Sequence, residues 1–110
     1  MKKYRRTVRG YELKLGPEAK FMLDVKMEAK RNGWMYFHPY DSRKSEPGFP
    51  DCTMVRNGRL IFAELKAYKG ARGKPTEFQQ DWLEELATVR TAEVYLWNPS
   101  DMETIKQVLK

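Results

Sequence analysis

The sequence is poor in cysteine and has no long apolar segment. Cys52 is the only cysteine among the 110 residues, which excludes an internal disulfide framework and any zinc site built from several cysteines. No apolar run approaches the roughly 20 residues of a membrane span, and no apolar signal-peptide stretch follows the basic start. We therefore expect a reduced, cytoplasmic protein that has no membrane partner.

The composition is that of an ordinary folded domain. The chain has a mass of 13.0 kDa, with 41% hydrophobic and 33% charged residues, so disorder is not the default expectation. A chain of this length can bury roughly two thirds of its unfolded surface, which is enough for one core. Size and composition thus predict a single domain.

The net charge of +6 is distributed unevenly along the chain. Residues 1–16 hold six basic residues and one acidic residue, and residues 41–76 hold eight basic and four acidic residues. Residues 77–105, in contrast, hold one basic residue and seven acidic residues. The two basic segments predict contact with a polyanion such as nucleic acid. For residues 1–15, which form a basic arm separable from the domain at 16–110, a frayed and solvated terminus is an equally good interpretation.

The residue patterns predict seven elements in the order α-β-β-β-α-β-α, an α/β domain. Pro17 marks the start of a helix and Asn32-Gly33 its end. An aromatic strand and a hairpin follow, then a helix that begins with a capping box, a last strand and a last helix. The predicted elements are a helix from Pro17, strands at 34–38, 51–56 and 59–67, a helix capped by Thr76 and Gln79, a strand at 94–97, and a last helix capped by Ser100 and Glu103. Gly70, Gly73 and Pro75 indicate a basic loop.

The hairpin allows residues to be paired across its strands. Asn57-Gly58 is a preferred pair for a two-residue type I′ turn, and such a turn places Arg56 opposite Arg59. Continued along the strands, this register places Asp51 opposite Glu64, with Lys66 on the same face. Two carboxylates and a lysine are therefore predicted to cluster at the open end of the hairpin.

Two opposed carboxylates destabilise a sheet unless a cation neutralises them. Mg²⁺ or Mn²⁺ would do so, because hard cations take carboxylate, carbonyl and water oxygens. The alternative is an ordinary salt-bridge cluster closed by Lys66. Glu18 falls at helical spacing from Phe21 and Met22, which predicts a third carboxylate on the core-facing side of the first helix, although a first-turn acid also suits the helix dipole.

A divalent cation held by Asp51 and Glu64, with Lys66 beside it, suits phosphodiester hydrolysis. The cation would polarise a phosphoryl oxygen, the lysine would steady developing charge, and a basic rim would hold the anionic backbone.

Four ordered segments carry a family resemblance. They are Gly48-Phe49-Pro50-Asp51, Phe62-Ala63-Glu64-Leu65-Lys66, Thr76-x-x-Gln79-x-x-Trp82-Leu83 and Val94-Tyr95-Leu96-Trp97. From Glu18 to Leu109 the chain resembles the VRR-NUC branch of the PD-(D/E)XK nuclease superfamily, and its small stand-alone, virus-type members in particular. The resemblance implies a restriction-endonuclease-like mixed sheet flanked by helices.

The resemblance also implies a function. It implies a metal-dependent DNA endonuclease, similar to Holliday junction resolvases, that acts as a homodimer on branched DNA in a bacterium or a phage-infected host cell, without a small-molecule cofactor. The implied metal ligands are Asp51, Glu64 and the backbone carbonyl of Leu65. Lys66 would be the catalytic lysine, with Glu18 a further acid and possible ligand, and Gln79 a polar group near the site.

The implied DNA contacts come from the basic segments and the aromatic strand: Lys2, Lys3, Arg5, Arg6, Arg9, His38, Arg43, Lys44, Lys69, Arg72 and Lys74. The stretch from Ala67 to Pro75 departs from the family pattern by an extra Gly-Ala-Arg-Gly element, which makes the DNA-facing loop the least secure part of the resemblance. The N-terminal arm lies outside the family pattern.

Several of these residues have simpler interpretations. Gln79 is also the third residue of a capping box, and His38 could be a satisfied core histidine. Cys52 faces away from Asp51 and fits a core position better than a nucleophile. Trp34, Trp82 and Trp97 are expected in the core, with a dimer contact at Tyr95 and Trp97 as an alternative.

Two other functions remain open. One is a catalytically silent DNA-binding module of the same fold, and the other is a nuclease that acts on RNA or on non-branched DNA.

Overall fold

The computed structural model describes residues 15–39 and 44–110 and has the predicted element order. The predicted arm up to residue 14 therefore lies outside the described residues. No helix in the described ranges is long and apolar enough to cross a membrane. The elements are helix α1 (Pro17–Arg31), strands β1 (Met35–Phe37), β2 (Cys52–Arg56) and β3 (Arg59–Leu65), helix α2 (Glu77–Ala87), strand β4 (Ala92–Trp97) and helix α3 (Met102–Leu109), with short 3₁₀ turns at Gly70–Gly73 and Pro99–Asp101.

The four strands form one mixed sheet in the order β1-β2-β3-β4. β1, β2 and β3 pair antiparallel, whereas β4 pairs parallel to β3. The hairpin register is confirmed, because Arg56 pairs with Arg59 and Thr53 with Phe62. Asn57 and Gly58 both have positive φ, at 46° and 83°, as a type I′ turn requires.

The core lies between one face of the sheet and the helices α1 and α3. Alternate residues of the hairpin point into it, and Met54 and Ile61 are fully buried there, as is Cys52. From the helices, Val25 and Ile105 meet this face. The predicted core position of Cys52 is therefore confirmed.

Helix α2 covers part of the opposite face. Phe49 connects the two, because its ring packs edge-on against Phe62 of β3 and against Trp82 of α2, with centroids 5.8 and 5.1 Å apart. The Trp82 indole also donates a hydrogen bond to the Pro47 carbonyl at 3.1 Å. These contacts fix the loop that leads into Asp51.

At the turn end of the hairpin, two arginines lie against one indole ring. The Arg56 and Arg59 guanidiniums are 4.6 and 5.0 Å from the ring centre of Trp34. Arg56 donates to the backbone carbonyls of Asn32, Leu109 and Lys110, while Arg59 pairs with the carboxylate of Glu93 and donates to the carbonyl of Val108. The like charges at this end are thus met by carbonyls, a carboxylate and a π face.

Two local predictions are wrong. The last helix is preceded by a capping box of Asn98 and Asp101, not of Ser100 and Glu103, because Pro99 fits the first turn and starts it earlier. The helical spacing of Phe78 and Trp82 predicts a shared apolar stripe on α2, but Phe78 is 59% exposed, since it lies in the first turn beyond the covered face.

The tryptophans divide between two environments. Trp34 and Trp97 are each 3% exposed and belong to the core, as expected, whereas Trp82 is half-buried on α2. The Tyr95 and Trp97 rings stack at 4.8 Å. The burial of Trp97 contradicts its alternative assignment to a dimer contact.

Candidate active site

A cavity of about 320 Å³ opens at the end of the sheet opposite the hairpin turn. It brings together residues from α1, from the open end of the hairpin, from the loop after β3 and from α2. Its charged and polar lining consists of Glu18, Asp51, Glu64, Lys66, Arg72 and Gln79, and its remaining walls are Phe21, Met22, Leu65, Ala67 and Tyr68.

Asp51 lies immediately before β2 and reaches across to the partner strand. Its Oδ2 accepts a hydrogen bond from the backbone N–H of Leu65 at 2.9 Å. The side chain therefore continues the hairpin where the strand pairing ends at Cys52, and the predicted proximity of Asp51 and Glu64 is realised through this contact.

Glu64 is a buried acid, 2% exposed, at the end of the apolar strand β3. Its Oε2 lies 3.3 Å from the Lys66 ammonium, whereas its Oε1 has no hydrogen-bond partner within residues 15–39 and 44–110. Burial, followed by the negative charge of Asp51, raises the pKa of Glu64, and Lys66 opposes that rise. A buried carboxylate oxygen without a donor is costly unless a water molecule, an ion or another ligand meets it.

Lys66 and Gln79 are held together. The Lys66 Nζ donates to Gln79 Oε1 at 2.8 Å, and the same oxygen accepts the backbone N–H of Thr76 at 2.8 Å. Gln79 N–H in turn donates to Thr76 Oγ1 at 3.2 Å, which completes the predicted capping box. The capping interpretation of Gln79 is therefore confirmed, and the same oxygen also contacts Lys66 in the cavity wall.

Glu18 is on the cavity wall, but its side chain is exposed and not buried in the core as expected. It lies at the second helical residue, where solvent still reaches the carboxylate. Within the described part of the chain, no three His, Cys, Asp or Glu side chains come together as a metal-binding group. Glu18 thus does not form a direct three-acid set with Asp51 and Glu64.

His38 is exposed, so the core interpretation is wrong. Its Nδ1–H donates to the backbone carbonyl of Asp51 at 2.7 Å, and its ring lines a groove beside the cavity.

The buried Cys52 thiol lies 3.3 Å from the Tyr36 hydroxyl, and burial raises the pKa of Cys52 to about 12. A thiol held protonated in this way is not a nucleophile at neutral pH.

Among the predicted DNA-contacting residues that lie in the described ranges, only Arg72 is in the cavity wall. Lys44, Lys69 and Lys74 are exposed. Arg43 and the arm residues Lys2, Lys3, Arg5, Arg6 and Arg9 lie outside the described residues. The sequence analysis did not identify Tyr68, whose ring centre lies 3.7 Å from the Arg72 guanidinium carbon. The sequence feature that indicates this contact is the spacing of four residues between Tyr68 and Arg72.

This arrangement can be compared with known proteins. A solved structure described as "VRR_NUC domain" superposes with a TM-score of 0.68 over 86% of this chain and 96% of that one, at 19% sequence identity. The chain has the VRR_NUC fold. This likeness confirms the fold that the sequence segments implied. No family model and no curated protein matches the chain.

Proposed function

We propose that this protein is a divalent-metal-dependent phosphodiesterase that cuts DNA internally. The observation that carries the proposal is the buried Glu64, whose Oε1 lacks a donor in the described ranges and which shares a cavity with Asp51 and Lys66. In a purely structural salt-bridge cluster, burial would be accompanied by full pairing of the carboxylate.

The donor set fits Mg²⁺ or Mn²⁺. Among the residues that the structure describes, Asp51 Oδ1 and Glu64 Oε1 accept no hydrogen bond, while the second oxygen of each carboxylate is already engaged. These two oxygens and the Leu65 backbone carbonyl are the proposed ligands, and hard oxygens are what both cations prefer. Glu18 would act from the cavity wall, where it can orient water.

When bound, the cation would supply charge neutralisation and Lewis-acid polarisation of a phosphoryl oxygen. Lys66 is the group of this chain best placed to act on the substrate. Glu64 and Gln79 engage two of its three ammonium donors, which leaves one donor for a phosphoryl oxygen or for the attacking water. Its charge would stabilise the transition state next to Glu64, and the side chains of Lys66 and Glu64 are only 18% and 2% exposed.

DNA is the proposed substrate because a nuclease-type fold here carries exposed basic residues after β3 and in the loop before β2. The preference for branched DNA and the homodimer remain proposals that rest on the sequence resemblance. A two-fold dimer would present two such cavities to a pseudo-symmetric four-way junction.

The test is a cleavage assay in Mg²⁺ or Mn²⁺ on single-stranded, duplex, flap and four-way-junction DNA, with matched RNA substrates. We expect the wild type to cut DNA, preferably the junction, and Lys66→Met to lose cleavage while still binding junction DNA. Lys106→Met on α3 is the matched control, because it removes an exposed lysine remote from the cavity.

Wild-type junction binding without cleavage in either metal would instead support a silent binding module. Equal cleavage by Lys66→Met would contradict the proposed role of the lysine. Light scattering of the protein alone and of its junction complex measures the oligomeric state.

A further inference from the structure

The Tyr68–Arg72 pair stands on the wall of the cavity, in the segment that departs from the family pattern. The Arg72 guanidinium carbon lies 3.7 Å from the centre of the Tyr68 ring, and both residues line the cavity. We propose that this stacked pair is a phosphate clamp, in which Arg72 binds a backbone phosphate of the strand being cut. The inference rests on the proposed function and names a substrate contact within that site.

The stack depends on a built turn. A Cβ at Gly73 would lie 2.1 Å from the Tyr68 carbonyl oxygen, so only glycine permits this close approach. The Lys74 N–H donates to the Ala71 carbonyl at 3.3 Å and closes the 3₁₀ turn around Arg72. The chain therefore folds back on itself at the point that brings the guanidinium over the ring.

The stack leaves the guanidinium donors available. Arg56 also lies on an aromatic ring, but its two terminal nitrogens already donate to the carbonyls of Asn32, Leu109 and Lys110. Arg72 has no hydrogen bond or carboxylate partner within residues 15–39 and 44–110. A guanidinium fixed on one face and with its N–H edge available is suited to bidentate recognition of phosphate.

The charges around the cavity explain why such a contact is needed. Asp51, Glu64 and Glu18 repel an approaching phosphate, and the ammonium of Lys66 already pairs with Glu64. Arg72 is the other cationic side chain of this cavity wall. It therefore supplies attraction for the anionic backbone that does not depend on a bound metal ion.

The experiment measures binding of a fluorescein-labelled DNA duplex by anisotropy in EDTA, so that cleavage plays no part, over a range of salt concentrations. We expect Arg72→Gln to bind about tenfold more weakly, as loss of a charged hydrogen-bonded contact implies. The negative slope of log affinity against log salt concentration should become shallower by about 0.9, the value for one lost phosphate contact. The matched control is Arg90→Gln, because Arg90 is exposed and precedes β4 at the turn end of the sheet.

Two further variants separate a clamp from mere positive charge. Arg72→Lys keeps the charge but loses the fork and should keep the salt slope while binding more weakly. Tyr68→Leu keeps Arg72 but removes its ring and should weaken binding in the same way, whereas Tyr68→Phe should resemble the wild type. Circular dichroism and thermal unfolding verify that each variant is folded.

Each outcome bears on the clamp. Equal affinity and equal slope for Arg72→Gln, Arg90→Gln and the wild type would overturn it, as would wild-type protein that binds no DNA. Wild-type protein that binds DNA through Arg72 but cuts no substrate would support the clamp and contradict the proposed nuclease. Conversely, wild-type cleavage with unchanged Arg72→Gln binding would contradict the clamp alone.

Discussion

At each end of the β2–β3 hairpin, two residues of like charge lie close together, but the two pairs have different sets of partners. At the turn end, Arg56 and Arg59 face each other, and backbone carbonyls, Glu93 and the Trp34 ring meet their charges. At the open end, the like-charged pair is acidic, and Oε1 of the buried Glu64 has no donor in the described ranges. Arg56 Nε is also buried without an acceptor in the described ranges, but several acceptors already meet each guanidinium, which suits a role in the fold. The two acids have far fewer partners, which suits binding.

The largest expected effect comes from removing a charge at the open end. Asp51→Asn keeps an oxygen that can accept the Leu65 N–H but removes a proposed ligand. We expect cleavage to fall about 10³-fold, the scale on which loss of transition-state charge stabilisation is felt. In EDTA, the free energy of unfolding should be unchanged or up to about 1 kcal/mol higher, because Asp51 raises the pKa of Glu64.

Cleavage rates and urea unfolding of the same preparations test this prediction. A large loss of stability in Asp51→Asn, with cleavage per folded molecule unchanged, would show that the acidic end is structural like the basic end.

The turn end should give the opposite result. Arg56→Lys keeps the charge but cannot reach the carbonyls of Asn32, Leu109 and Lys110 together. We expect a loss of about 2–4 kcal/mol in the free energy of unfolding. Cleavage per folded molecule should be unchanged below the unfolding transition. If Arg56→Lys were as stable in urea as the wild type, or if it lost cleavage selectively, the distinction between the two ends would be contradicted.

Gln79 connects the open end to the start of α2, so its two roles can be separated. Thr76→Ala and Gln79→Ala both disrupt the capping box and should each cost about 1 kcal/mol in the free energy of unfolding. Only Gln79→Ala also removes the acceptor of Lys66, and we expect it to reduce cleavage about tenfold to hundredfold. Equal cleavage by the two variants at matched stability would assign Gln79 to capping alone.

The smallest effect is expected at the Arg59–Glu93 ion pair. The hydrogen bond from Arg59 lowers the pKa of Glu93, so the pair stabilises the fold above the pKa of an unfolded glutamate. This contribution is lost as the pH falls through the lower, folded-state pKa. Because the side chains are 37% and 30% exposed, we expect Glu93→Gln to cost no more than about 1 kcal/mol at neutral pH.

Urea unfolding of the wild type and of Glu93→Gln across acidic to neutral pH measures this difference. A gap between the two proteins that persists or widens in acid would contradict the assigned sign.

The two ends also differ in how far the sequence predicts them. Asn57-Gly58 sets the turn, and the turn sets the register, so the clustering of Asp51 and Glu64 follows from local chemistry. The capping box of Thr76 and Gln79 is equally local. The predictions made within a few residues of Asn57-Gly58 and of Thr76 therefore held.

The parts that could not be predicted depend on contacts between distant segments or on competing local signals. The guanidiniums of Arg56 and Arg59 contact the Trp34 ring only because the end of α1, the hairpin turn and the end of α3 meet there. The partnerless oxygen of Glu64 likewise depends on how α1 and the β3–α2 loop close the cavity. At Asn98 and Ser100, two overlapping capping patterns compete, and Pro99 decides between them.

The most direct test of the central claim is calorimetric titration of Mn²⁺ into the wild type and into Glu64→Gln at neutral pH, with Arg90→Gln as the control. If the open end is held incompletely paired for a cation, the wild type and the control bind Mn²⁺, and Glu64→Gln binds it at least about tenfold more weakly, since a carboxylate ligand is lost. No Mn²⁺ binding by the wild type, or equal binding by Glu64→Gln, would contradict the account.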